Sequence, residues 1–240
     1  MASIDDEATN GSTLEQTVAA TVRTGRGPGA TALYVALRGL GRLLTKLYWR
    51  LEVVGRERFP VTGAYVLAPV HRSNVDFLLP ALACPARVRW IAKSSIFIGG
   101  IIERWLRAMG SFPVKRDELD RASLATCLAV VADGQPLVMF PEGRRREGPV
   151  IEDIYDGPAY VACRERVPIV PIGIGGSDKA MPIGSKMVRP HKVVVVVGEP
   201  MYPDVPLEGR VPRTAINEFS AQLQERLQEL YDEAKARAGA

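Results

Sequence analysis

A histidine at position 71 closes the short apolar run Val66 to Val70 and is followed five residues later by Asp76. An imidazole and a carboxylate brought together on a tight turn make a general base. The acid accepts from one ring nitrogen and fixes the tautomer, which leaves the other nitrogen to take a proton from a hydroxyl. An unperturbed histidine, with a pKa of about 6.5, suits that work at neutral pH. The same spacing also fits an architectural pair, in which the imidazole satisfies a buried carbonyl and the acid is favoured in a first helical turn by the helix dipole. Spacing alone leaves both open.

Three further stretches carry residues suited to a charged substrate. They are Gly110-Ser111-Phe112-Pro113-Val114-Lys115-Arg116, then Phe140-Pro141-Glu142-Gly143-Arg144-Arg145-Arg146-Glu147, then Val167-Pro168-Ile169-Val170-Pro171. Planar guanidinium groups grip phosphate with two parallel bonds. A base with two arginine clusters is the set needed to deprotonate a hydroxyl on a phosphate-bearing substrate. Taken singly, each cluster reads equally well as a solvated turn.

These residues need a scaffold that delivers them together. Val66 to Pro69 reads as a strand, with Ser73 and Asn74 as caps for a helix over 75–82. From Leu51 onward, strands are predicted over 51–54, 65–70, 88–92, 111–114, 136–140, 169–174 and 193–197. Helices are predicted over 95–109, 119–132, 159–164 and 214–237, the last with Ile216, Phe219, Leu223, Leu227 and Leu230 inward. The stretch 175–190 reads as an irregular insertion. Near-continuous apolar strands alternating with helices imply an α/β fold, a mostly parallel mixed sheet flanked by helices. Sites in such folds lie at the carboxyl ends of the strands.

Ahead of that domain, residues 1–50 read as an N-terminal arm with a short helix over 13–23, a glycine-rich break at 25–29 and an amphipathic helix over 30–50. Leu33, Leu37, Leu40, Leu44 and Leu47 share one helical face, and Arg38, Arg42, Lys46 and Arg50 form a stripe beside them. That pattern fits a helix lying in a membrane surface and also a surface helix docked on the core with solvated arginines. The division expected is 1–50 for the membrane-associating arm and 51–240 for the α/β domain.

Composition narrows the classes. A 240-residue chain that is 47% hydrophobic can bury a sizeable core, and a formal net charge of +4 suits an anionic partner without choosing one. Cys84, Cys127 and Cys163 are widely spaced in apolar contexts and read as buried reduced thiols of a cytoplasmic protein. Asp5, Asp6 and Glu7 argue against a secretory leader, and no apolar window reaches about 18 residues, so membrane contact is expected to be peripheral. The basic residues adjoin apolar stripes and no aromatic-studded strand face, which makes nucleic acid the weakest partner class.

Taken together, the four blocks resemble the lysophosphatidic acid acyltransferase family of glycerophospholipid acyltransferases. His71 with Asp76 matches the His-x4-Asp block, Gly110 with Arg116 the second, Phe140-Pro141-Glu142-Gly143 with Arg145 the third, and Pro168 to Pro171 the fourth. The resemblance spans roughly 51–202. It implies transfer of a fatty acyl group from acyl-CoA or an acyl carrier protein to a lysophosphatidic acid hydroxyl, with His71 as base and Asp76 as its orienting partner. It assigns Arg116 and Arg145 to the acceptor phosphate, Glu142 and Gly143 to substrate binding with Glu142 holding Arg145 or the acceptor glycerol, and Lys93 to the phosphate or the developing oxyanion. No metal and no cofactor beyond the acyl co-substrate is implied, and the place implied is the cytoplasmic face of the cell membrane. The chain departs from the family where it has Arg144 in place of Thr or Ser, and Pro113 and Lys115 in place of Phe and an acid, which adds positive charge. Other acceptors (glycerol-3-phosphate, another lysophospholipid, an amino-lipid) or a non-catalytic lipid-binding module stand as alternatives. Oligomeric state is not legible.

Overall fold

Valine-rich runs too short for helices, each followed by a stretch of helical periodicity, fold as a sheet with helices packed against it. The computed structural model describes Val22 and residues 27–93, 99–100, 103, 106, 110–114 and 121–239. The chain runs through α1 (Pro28–Tyr48), β1 (Glu52–Val54), a 3-10 turn (Arg56–Arg58), β2 (Val66–Pro69), a second 3-10 turn (Asn74–Phe77) and α2 (Leu79–Ala83). It continues through β3 (Arg89–Lys93), β4 (Ser111–Val114), α3 (Arg121–Ala132), β5 (Leu137–Val138), α4 (Gly157–Glu165) and β6 (Ile169–Gly175). The described part closes with α5 (Ser177–Ala180), β7 (Val194–Val197) and α6 (Arg213–Ala238).

Among the described residues the sheet has seven strands in the order β1-β7-β6-β2-β5-β3-β4. β6, β2, β5, β3 and β4 are mutually parallel, and β7 pairs antiparallel with β6 and parallel with β1. The central strands β2 and β6 are buried along their whole length, as expected where helices cover both faces. The parallel block matters most for function, because β2, β5 and β3 all end at the same edge.

The long helix α6 lays Ile216, Phe219, Leu223, Leu227 and Leu230 against the sheet, as the periodicity predicts. Its approach to β6 is close: a Cβ at Gly173 would sit 2.1 Å from the Leu230 carbonyl oxygen, and one at Gly175 would sit 2.3 Å from that of Ala234. Two glycines in β6 are therefore what lets the helix backbone lie on the strand.

Some elements depart from expectation for visible reasons. The strand expected over 136–140 is paired only at Leu137–Val138; Met139 N–H still reaches Leu67 O at 2.9 Å, and the chain then turns at Pro141. The helix expected over 75–82 is split into a 3-10 turn and α2, with Pro80, which has no N–H to donate, in the first turn of α2. Within the insertion at 175–190, residues Ser177–Ala180 form a single helical turn. The predicted helix at 13–23 is represented only by Val22, and that at 95–109 falls largely outside the described residues.

α1 forms where expected, but it docks through a different face. Tyr34 and Thr45 are buried, and Gly41 lies against Leu82 of α2. Arg38 and Arg42 of the basic stripe are bound, not solvated: Arg38 Nη1 donates to the carbonyls of Cys84, Pro85 and Ala86, and Arg42 Nε donates to Leu82 O at 2.7 Å. Leu82 O is one of the carbonyls that a helix leaves without a partner at its C-terminal end, and Cys84, Pro85 and Ala86 follow it just past the end of α2. Leu33, Leu40, Leu43, Leu44 and Leu47 remain exposed.

Candidate active site

β2 carries the chain to Pro69 in the middle of the sheet, and Val70 N–H still bonds Ile172 O at 3.0 Å. The backbone then leaves the ladder with His71 as its first unpaired residue. Ser73 is the N-cap of the 3-10 turn at Asn74–Phe77: its Oγ accepts from Val75 N–H, and the Asp76 side chain accepts in return from Ser73 N–H. This reciprocal capping fixes Asp76.

The same carboxylate holds the imidazole. Asp76 Oδ2 accepts from Arg72 N–H and Ser73 N–H, both at 2.6 Å, and lies 3.2 Å from His71 Nδ1. One oxygen therefore does two things: Asp76 Oδ2 caps its own turn and faces the histidine. Nδ1 is engaged, and Nε2 has no hydrogen-bond partner among the described residues.

β5, next to β2 in the sheet, supplies the walls. The Phe140 ring lies against the imidazole with centroids 4.2 Å apart and planes 31° apart. Glu142 Oε2 accepts from His71 N–H at 2.7 Å, and Arg146 N–H donates to His71 O at 2.9 Å. The third block therefore grips the histidine of the first by its ring, its N–H and its carbonyl. A tight turn allows this: Gly143 N–H bonds Phe140 O at 3.0 Å, and Gly143 adopts φ +65, where a Cβ would stand 2.6 Å from the Tyr155 ring.

Glu142 requires a correction. It does not hold Arg145. It is buried, and its Oε1 pairs with the guanidinium of buried Arg72. A buried acid with these partners is part of the histidine's support. Arg72 also donates to Val150 O at 3.2 Å and stacks over the Tyr231 ring, with Cζ 4.9 Å from the centroid. Burial pushes the Tyr231 phenol above its ordinary value, with Arg72 acting the other way.

The remaining predicted residues fall in different places. Arg144 and Arg145 are exposed on the turn after Glu142, where Arg144 N–H donates to Glu142 O at 2.7 Å. Lys93 is the last residue of β3, the strand beside β5. Arg116 lies outside the described residues; Gly110, its companion in the second block, has φ +95 and would bring a Cβ to 2.6 Å from Val88 O, so the block's glycine has a steric cause. The fourth block is structural in placement: Pro168 O accepts from Val66 N–H, and Pro171 pairs with Ala68 inside the sheet. Among the described residues no three His, Cys, Asp or Glu side chains cluster as a metal site would require.

Sequence reasoning singled out neither Arg72 nor Tyr231, and it took Phe140 and Arg146 only as members of the third stretch. Arg72 offered one signal, a long cation between a strand end and a cap where an exposed position is not guaranteed. Its carboxylate partner lies 70 positions away, and only the β2–β5 pairing brings the two together.

A family model described as Acyltransferase matches residues 50–175, just over half of the chain. The 1-acyl-sn-glycerol-3-phosphate acyltransferase BAT2, chloroplastic, of Brassica napus is 29% identical over 161 residues, covering 65% of this chain and 46% of that protein. The 1-acyl-sn-glycerol-3-phosphate acyltransferase of Bacillus subtilis (strain 168) is 24% identical over 162 residues, covering 67% of this chain and 78% of that one. The chain thus matches under half of the plant relative's length. The crystal structure of the 1-acyl-sn-glycerophosphate (LPA) acyltransferase, PlsC, from Thermotoga maritima aligns with a TM-score of 0.63 over 90% of this chain and 92% of that chain, at 18% identity, a likeness of fold.

Proposed function

The chain belongs to the acyltransferase family, and on that premise we propose that it transfers a fatty acyl group from acyl-CoA or an acyl carrier protein to the free hydroxyl of lysophosphatidic acid, giving phosphatidic acid. The observation that carries this reading is the His71 Nδ1 to Asp76 Oδ2 contact of 3.2 Å, with the histidine clamped by the 140–146 segment and its Nε2 side unengaged. The names of the Brassica and Bacillus relatives support the acceptor.

In this mechanism Nε2 takes the acceptor hydroxyl proton as the oxygen attacks the thioester carbonyl. The tetrahedral intermediate collapses with loss of the thiolate, and the imidazolium returns the proton to sulfur. Asp76 holds the ring so that Nε2 is the acceptor nitrogen, a general-base contribution of about 10² to 10⁴ in rate. Attack is direct, so no acyl-enzyme is formed. Arg145, exposed on the glutamate turn, and Arg116 receive the acceptor phosphate, with Gly143 giving the turn its shape. Lys93, at the end of β3, meets the phosphate or the oxyanion. Glu142 acts through His71 and Arg72.

The enzyme works at an anionic membrane surface, peripheral and on the cytoplasmic face. Support comes from α1, whose exposed leucines lie beside exposed Lys46 and Arg50. Among the described residues no helix is long and apolar enough to cross a membrane.

The test is thiol release from acyl-CoA by the purified chain with lysophosphatidic acid, glycerol-3-phosphate or lysophosphatidylcholine. Release is expected with the first, reduced by at least about 10² in His71→Ala and by less in Asp76→Asn. Full activity in folded His71→Ala refutes the base. Activity only with the acceptor that lacks a phosphomonoester refutes lysophosphatidic acid as substrate.

A further inference from the structure

The segment after the glutamate turn, residues 148–151, is held between the site and the C-terminal helix. From the site, Arg72 Nη2 donates to Val150 O at 3.2 Å. From α6, Gln228 Nε2 donates to Pro149 O at 3.0 Å, and its Oε1 accepts from Ile151 N–H at 2.7 Å. Gln224 Nε2 donates to Ile151 O at 3.2 Å, and the Tyr231 hydroxyl donates to Gly148 O at 3.3 Å. Positions 224, 228 and 231 succeed one another by four and three residues, so one face of α6 carries them all. That helix lies beyond residues 50–175, which the family model matches.

Among these contacts, that of Tyr231 with Arg72 bears on the chemistry. The Arg72 guanidinium is buried; Nη1 meets Glu142 and, at 3.5 Å, His71 O, Nη2 meets Val150 O, and Nε has no hydrogen-bond partner among the described residues. These contacts are all made by the two terminal nitrogens, and they leave the plane free to tilt about the line through them. An aromatic ring against the flat face removes that freedom and meets the cation with the negative side of its quadrupole. Glu142 uses its other oxygen on His71 N–H. The chain of contacts therefore runs from the Tyr231 ring to the Arg72 plane, to the Glu142 carboxylate, to the backbone of the base.

We propose that Tyr231 is a positioning residue for the acyl transfer read above: its ring fixes the Arg72 guanidinium so that Glu142 holds His71 in register with Asp76. The inference rests on that reading for its kinetic readout, and on the His71 amide resonance for a readout independent of it.

The experiment compares Tyr231→Phe, Tyr231→Leu and phenylalanines of increasing ring fluorination at position 231 in the full chain. Fluorination withdraws the ring's negative face at nearly constant shape. Tyr231→Phe keeps the ring and is expected to retain parental kcat within about twofold, whereas Tyr231→Leu lowers kcat about tenfold with both KM values little changed. Across the fluorinated series kcat falls with each added fluorine, and the His71 amide proton shifts upfield as its bond to Glu142 loosens. If Tyr231→Leu does not fold, the fluorinated series decides alone. A kcat and an amide resonance indifferent to fluorination overturn the proposal, as does Tyr231→Phe losing as much as Tyr231→Leu. Absence of thiol release in the parent with every acceptor tells against the acyl-transfer reading, while the amide shift still decides the role of Tyr231.

Discussion

The 21-residue α1 and the 26-residue α6 both carry apolar side chains at three- and four-residue spacing, yet they meet the rest of the molecule with opposite faces. α6 turns Leu223, Leu227 and Leu230 onto the sheet and leaves its outer face polar. α1 buries Tyr34 and Thr45, half-buries Gly41, Arg38 and Arg42, and leaves most of its leucines in solvent. The neighbour decides the difference. α6 faces apolar strands, where buried hydrocarbon is the favourable contact. α1 faces the C-terminal end of α2, where free carbonyls need donors, and guanidinium groups supply them. An amphipathic stripe reports that a helix has two faces, not which one docks.

The strongest way to break this contrast is at β6. A Cβ at Gly173 would meet the Leu230 carbonyl at 2.1 Å, well inside the 3.0 Å that real Cβ contacts respect, and the obstacle is backbone. Gly173→Val must therefore lift α6 from the strand. The expected loss is about 3 kcal/mol or more, or failure to accumulate folded protein. Denaturant unfolding measures it, and parental stability in that variant would show that α6 does not rest on β6 as described.

How much of this could be read beforehand depends on the range of each interaction. The parallel sheet, the inward residues of α6 and the placing of His71 and Glu142 after neighbouring strand ends follow from local patterns, because strand length, helical period and strand-end position are sequence-local properties. The pairing of Glu142 with Arg72 is not local. It depends on β5 lying beside β2, and the resemblance, which set Glu142 against Arg145 or the acceptor glycerol, carries no sign of Arg72. The orientation of α1 was illegible for a related reason: its partners are backbone carbonyls at 82–86, and carbonyls leave no mark in the sequence.

A smaller effect sharpens the same contrast by comparing one leucine from each helix. Leu227 is fully buried and Leu44 is half exposed. Leu227→Ala is expected to cost about 2–5 kcal/mol, and Leu44→Ala less than about 0.5 kcal/mol. If the exposed stripe serves the membrane, Leu40→Glu combined with Leu44→Glu keeps the parental unfolding midpoint and loses sedimentation with anionic phospholipid vesicles. A large loss of stability in that variant would mean the stripe is covered by protein, and unchanged sedimentation would remove α1 as the membrane contact.

The smallest effect tests the other face of α1. Arg42 Nε donates to Leu82 O at 2.7 Å and its Nη2 to Cys84 O at 3.3 Å, while Arg38 Nη1 reaches Pro85 O at 2.7 Å. Water can replace part of what is lost at so open a place, so Arg42→Ala is expected to cost about 1 kcal/mol, a fall in Tm of about 2–4 °C for a chain of this size. Arg42→Lys keeps the charge but not the two-pronged donor geometry and should recover only part of it. The alternative, in which the stripe serves lipid headgroups alone, makes the opposite prediction: Arg42→Ala would leave Tm unchanged and weaken vesicle binding, and Arg42→Lys would restore that binding in full because a point charge suffices. Thermal unfolding and vesicle sedimentation of the two variants separate an arginine that docks the helix from one that meets the membrane.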